Sequence, residues 1–195
     1  MKVYLKMLWF IAILGIVTSG IFVGMEAWTA PLIEANAAIE LKSTLLDAYE
    51  VLYTTPTVND VFAAHVTVHQ VGDQVLYLDN SGGNVSFEFR GSGVWGPIYG
   101  ILTLSPDLET IKHIRVLQQE ETPGLGGVVA EPRYLAGYVG VKLAPPLALR
   151  PAGGGTGNPN EVDAITGATR TSNAFIRILN TSYAEHLDAL KEVGK

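Results

Sequence analysis

The chain has 195 residues, 13 Lys plus Arg against 19 Asp plus Glu, 21 Gly and no Cys. Without Cys there is no disulfide framework, no Cys-ligated iron–sulfur cluster, no c-type haem attachment and no Cys-type zinc site, so any redox chemistry must come from a bound cofactor. A formal charge of −6 argues against a nucleic-acid partner, since phosphate binding needs a basic surface that displaces counterions.

Between Lys6 and Glu26 lie 19 uncharged residues, Met7 to Met25. That suffices for a transmembrane helix, which needs roughly 20 apolar residues, whereas a cleaved signal has an apolar core of about 7–15. Thr18-Ser19-Gly20 are small, and Ala35-Asn36-Ala37 fits an A-x-A cleavage site but stands too far past the apolar core, so the segment is read as an anchor. Lys2 and Lys6 precede the span and Glu26 and Glu34 follow it. The positive-inside rule then makes residues 1–6 cytoplasmic, 7–25 the span, and 26–195 one domain on the periplasmic or extracellular side. Gly20 and Gly24 form a small-xxx-small pair where a second helix could approach.

After the anchor, Ile33, Ala37, Leu41, Leu45, Tyr49 and Leu52 recur at helical spacing, which predicts a helix from Leu32 to about Tyr53. Val66, Val68 and Val71 to Leu78, broken at Gly72-Asp73, read as hairpin strands, and Val85 to Phe89 alternates as a strand should. Pro97 to Leu104 and Ile111 to Leu117 are two more strands around a Ser105-Pro106-Asp107 turn. Tyr138 to Leu143 is a further strand candidate, and Pro145 to Asn160 is too rich in Pro and Gly to be regular. Phe175, Ile178, Leu179, Tyr183, Leu187 and Leu190 make the apolar stripe of a closing helix. Helices at both ends with strands between predict an α+β domain with an antiparallel-rich sheet.

Most chemistry-bearing residues support no site by pattern. His65 and His69 are four apart in a segment read as strand, where about 13 Å would separate them, so they share no metal ion. His113 and His186 are isolated in sequence, no G-x-S-x-G elbow exists, and no catalytic or metal-ligating residue is assigned. Gly91, Gly93 and Gly96 have the spacing of a dinucleotide fingerprint but lead into Pro97 and a strand rather than a helix. The phosphate-at-helix logic therefore fails there, and the segment is read as a bend where backbone comes close to something.

Two segments are more specific. Glu120 to Gly127 packs two acids, Thr122, Pro123, Gly124, Leu125 and Gly126 behind a strand. Glycine lets backbone approach a flat ligand, and Leu125 could lie on a ring face, although Pro-Gly is also an ordinary turn pair. Asp163 to Thr171 stands directly before the last helix. There Thr169 or Thr171 would serve as N-cap, and the free N–H groups of the helix start favour a phosphate.

At these segments the sequence resembles the FMN-binding domain family represented by the RnfG component of the Rnf complex and the NqrC component of the Nqr complex. The family motif D-x-x-[ST]-G-A-T is matched by Asp163 to Thr169, E-T-P-G-L-G by Glu121 to Gly126, and a preceding G-x-G-[LVY]-x-G/S-x-[IM] strand in outline by Gly91 to Ile98. The resemblance implies FMN joined through its phosphate to Thr169, with Thr166, Gly167 and Ala168 at the phosphate. It further implies Glu121, Thr122, Gly124, Leu125 and Gly126 around the ring, and Trp95 stacking on or shielding it. It also implies attachment by a magnesium-dependent flavin transferase of the ApbE kind using FAD, with Asp163 serving recognition or metal contact during transfer.

By the same resemblance the chain is expected to be an electron relay, with no substrate site of its own, inside a bacterial or archaeal membrane complex that couples electron flow to Na⁺ or H⁺ movement. Other subunits of an Rnf or Nqr complex would be its partners. Trp95 to Gly100 leans toward the Nqr component and the short length toward the Rnf one. Two other classes remain open at this point: a flavinylated membrane sensor or extracellular reductase component, and a cofactor-free anchored scaffold.

Overall fold

A computed structural model describes residues 2–151 and 157–194. The uninterrupted apolar run and the helical spacing after it form one helix rather than two: α1 spans Lys2–Ala48, 47 residues with Pro31 inside. It therefore ends before Tyr53, and Glu50 in the turn that follows adopts a positive φ of 59°. The helix is long and apolar enough to cross a membrane, and none of its apolar window is buried within the protein. The chain divides into two compact units, Met1–Glu40 and Leu41–Lys195.

In the second unit, α2 (Val58–His65) leads into β1 (Val66–Val71), β2 (Gln74–Asp79), β3 (Val85–Ser92), β4 (Pro97–Leu104) and β5 (Ile111–Gln118). The five strands pair antiparallel in sequence order. The first hairpin turns at Gly72, whose φ of 58° suits glycine. Strand alternation gives the sheet two faces. Phe87 and Phe89 point to the long helix α4 (Thr169–Val193), where Phe87 stacks on His186 at 4.4 Å and Phe89 meets Phe175 edge-on at 5.8 Å between centroids. Gly91 belongs to that face, because a Cβ there would stand 2.6 Å from Ile178 Cγ1. On the opposite face the Tyr49 hydroxyl donates to the Tyr77 carbonyl and is hydrogen-bonded to the Ser86 hydroxyl, each at 2.8 Å.

Two expectations fail after β5. Tyr138 to Leu143 is not a strand: α3 (Pro132–Leu135) passes into a short 3-10 turn, Ala136–Tyr138, and the chain then caps the edge of β5. Ile111 N–H donates to the Val141 carbonyl, and Gly140 N–H to the Ile111 carbonyl. The apolar residues that suggested a strand are there to fill the core, as Tyr138 and Leu143 do. Conversely, the Pro- and Gly-rich stretch holds β6 (Ala148–Arg150), paired in parallel with β7 (Glu161–Asp163). Its length of three residues lies below what a periodicity argument detects. Asn180 of α4 holds the approach to β6 by accepting the Leu147 N–H at 2.8 Å and donating to the Leu147 carbonyl at 3.0 Å. Residues 152–156 of the expected loop lie outside the described residues.

Candidate functional site

The two glycine-bearing segments singled out by sequence come together around one carboxylate. Glu121, only 4% exposed, accepts the N–H groups of Val94 at 2.7 Å and Trp95 at 3.0 Å on Oε1, and the Thr171 hydroxyl at 2.7 Å on Oε2. Burial pushes this carboxyl up, but the donors at Trp95, Thr171, Val94 and Gly96 outweigh it and hold it below its usual value. The bend at Gly91 to Gly96 thus closes on acidic side chains. A Cβ on Gly96 would sit 2.6 Å from Glu120 Cβ, and one on Gly93 would collide with Glu121 Oε1.

Gly126 packs on the other side of the same carboxylate, where a Cβ would meet Glu121 Oε2 at 2.6 Å and Thr171 Oγ1 at 2.7 Å. The turn between is tightened by the Thr122 carbonyl, which accepts the N–H groups of Leu125 at 3.1 Å and Gly127 at 2.9 Å. Gly124 permits that turn with φ of 72°. The result is an outward Leu125, 47% exposed, whose Cδ2 is 3.5 Å from where a Cβ on Gly167 would stand. The Trp95 indole is 74% exposed.

Gly167, at φ of 81°, opens the turn into α4. The N-cap is Ala168, not Thr169 or Thr171, and no side chain caps the helix. Thr171 is spent on Glu121, and Ser172 stitches the entry by accepting the Ile165 N–H at 3.0 Å and donating to the Ala168 carbonyl at 3.1 Å. Thr169 is left as the first helical residue, exposed, its hydroxyl without a hydrogen bond among the described residues. The leading N–H groups of a helix have no partner inside it, and they concentrate positive potential at this end.

Beside Thr169 and Thr166 runs a cleft of about 560 Å³, lined by Leu149 to Pro151, Ala164 to Gly167, Thr169 and Asn173. That size is ordinary for an organic cofactor, roughly 300–1,000 Å³. Asp163 faces Arg150 across the β6–β7 pair, its Oδ1 2.6 Å from Nε, and its main-chain carbonyl accepts the Tyr134 hydroxyl at 3.2 Å. Arg150 and Asn173 carried no signal in the sequence, since one lies in an apparently irregular stretch and the other on a helix face without a motif. Among the described residues no group of three or more His, Asp or Glu could hold a metal ion.

Residues 93–184 match the FMN-binding domain family. The motifs Glu121 to Gly126 and Asp163 to Thr169 lie in this stretch, and the third, Gly91 to Ile98, enters it from Gly93 onward. The chain is 34% identical over 114 residues to the NqrC component of the Na⁺-translocating NADH-quinone reductase of Vibrio anguillarum, covering 54% of this chain and 45% of that one. It is 35% identical over 126 residues to the same component from Neisseria meningitidis serogroup B, covering 60% and 48%. It therefore spans less than half the length of these relatives.

The crystal structure of Shewanella oneidensis NqrC has the same fold at a TM-score of 0.67 and 23% identity, covering 78% of this chain and 97% of that one. The crystal structure of the corresponding protein from Parabacteroides distasonis gives 0.68 at 20% identity, covering 82% and 95%. The α+β class with its antiparallel sheet is thus shared with both. The described side chains would suit a flavin mononucleotide: Leu125 and Trp95 offer exposed apolar surface for a ring, and the start of α4 with Arg150 offers positive potential for a phosphate.

Proposed function

We propose that the chain is a single-pass, membrane-anchored electron-transfer component of a Na⁺-translocating NADH-quinone reductase type of complex, carrying FMN on Thr169 through a phosphoester. The observation that carries this reading is the exposed Thr169 hydroxyl at the first turn of α4, opening on a cleft beside Leu149 to Pro151. The names of the curated relatives favour the Nqr-type assembly over the Rnf type.

Bound flavin supplies one- and two-electron redox chemistry that no side chain of this Cys-free sequence can. The protein's part is to hold it. Thr166, Gly167 and Ala168 shape the phosphate end, Thr122, Gly124, Leu125 and Gly126 the ring end, and Trp95 shields the ring from water. Glu121 acts from beneath as the clamp that keeps both segments in register, and Asp163 acts through Arg150. The N-terminus is cytoplasmic, and the domain works on the periplasmic or extracellular side, where a dissociable cofactor would be lost by dilution.

No base adjoins the Thr169 hydroxyl among the described residues, so attachment falls to a transferase of the ApbE kind. The Thr169 oxygen forms a bond to the FMN phosphorus of FAD, the phosphoanhydride bond to AMP breaks, AMP leaves, and the hydroxyl proton passes to the transferase or to water. The test is denaturing electrophoresis under ultraviolet light, with intact mass, on protein made beside an active flavin transferase. A fluorescent band lost in Thr169→Ala and kept in Thr171→Val is expected. A dark wild-type band of unmodified mass overturns the reading.

A further inference from the structure

We infer that Arg150 is the cationic group that receives the phosphodiester on Thr169, and that Asp163 is the positioning residue that aims it. The inference rests on the flavinylation reading and deepens it.

The two residues are brought opposite each other by backbone, not by chance of side-chain reach. In the parallel pair, Arg150 is in register with Asp163, and the Ala164 N–H donates to the Arg150 carbonyl at 3.0 Å. The strand bearing the guanidinium is thus fastened to the segment that leads into Thr166 to Thr169. Asp163 takes Nε at 2.6 Å and one terminal nitrogen at 3.5 Å. A guanidinium has five N–H donors, so those remaining can serve a second acceptor.

Charge arithmetic says what that acceptor is. Arg150 lines the same cleft as Thr166, Gly167 and Thr169. A phosphodiester there carries one negative charge and would be repelled by a bare carboxylate at Asp163. With Arg150 between them the guanidinium is shared by two anions, a geometry for which Arg is better suited than Lys. Glu161 is a further charge felt by Arg150, and Arg170 stands exposed one residue beyond Thr169. Asn173 spends its amide on the Thr169 carbonyl at 3.0 Å, and Arg150 is the cationic side chain among the described residues that line the cleft.

The test compares full-length protein in detergent, flavinylated and unmodified, by intact mass and thermal unfolding midpoint. In the wild type, flavinylation raises the midpoint. Arg150→Gln is expected to lose more than half of that increase, and Arg150→Lys and Asp163→Asn to lose a smaller part of it. A merely structural role would lower both forms alike and leave the difference intact, so an undiminished increase in Arg150→Gln overturns the inference, as does a wild type that gains nothing on flavinylation.

If Arg150→Gln takes up no flavin, the midpoint shift that inorganic phosphate gives unmodified protein, against chloride at equal ionic strength, replaces that readout. A smaller shift than in the wild type supports the assignment and an equal one overturns it. Wild-type protein of unchanged mass sinks the flavin reading and this inference with it. Flavinylated wild type with an increase independent of Arg150 sinks this inference alone.

Discussion

The Thr171 hydroxyl donates to Oε2 of Glu121 across 2.7 Å, joining residues fifty positions apart in the chain. Through this contact the first turn of α4 is tied to the loop after β5, and through Oε1 to the bend between β3 and β4. One buried carboxylate therefore sets the positions of Trp95, Leu125 and Thr169 together. Glu121→Ala strands several buried donors at once and is expected to cost about 3 kcal/mol or more, while Thr171→Val removes one bond and costs about 1–2 kcal/mol. Chemical denaturation of both variants measures this, and equal losses would refute the clamp.

Acid should loosen the same site. The folded state holds Glu121 below its usual carboxyl value, so its ionised form stabilises the fold. That contribution is complete above the unfolded value of about 4.3 and is lost as pH falls through the lower folded value. Unfolding free energy followed from neutral pH downward should fall less steeply in Glu121→Gln than in the wild type. Parallel curves would show that Glu121 does not carry the effect.

Thr169→Ala should separate cofactor attachment from folding. The side chain is exposed and caps nothing, so unmodified protein should change in stability by no more than about 0.5 kcal/mol. Flavin fluorescence in the denatured band should nonetheless vanish. A large loss of stability in the unmodified variant would mean that Thr169 has a structural task not visible in its contacts.

Gly100 tests the sheet independently of the site. A Cβ there would lie 2.6 Å from Phe89 Cζ and 2.9 Å from Val116 Cα, and would collide with the Arg115 carbonyl. Backbone cannot step aside as a flexible side chain can, so Gly100→Ala is expected to destabilise by about 1–3 kcal/mol. A neutral substitution by thermal unfolding would mean that β4 and β5 pair more loosely than described.

Asn180→Ala removes both hydrogen bonds that hold Leu147 against α4. The expected cost is about 1–3 kcal/mol for the unpaired main-chain groups. Since Leu147 leads into β6, protease sensitivity should rise near Arg150 before it rises in the five-stranded sheet. Limited proteolysis with mass mapping reads the order of cleavage.

Local pattern already carried the apolar N-terminal helix, the hairpin at Gly72, the strands around Ser105 to Asp107 and the closing amphipathic helix, because each rests on a period or a turn residue within a few positions. The motifs at Glu121 to Gly126 and Asp163 to Thr169 were legible for the same reason. Tertiary structure decided what those residues do. It turned Glu121 inward, gave the N-cap to Ala168, made Tyr138 to Leu143 a strand cap, and drew β6 out of a stretch rich in Pro and Gly, so that Arg150 faces Asp163. A three-residue strand has no periodicity of its own and exists because its partner supplies the hydrogen bonds. A carboxylate buried among converging N–H groups looks, in sequence, like any other acid.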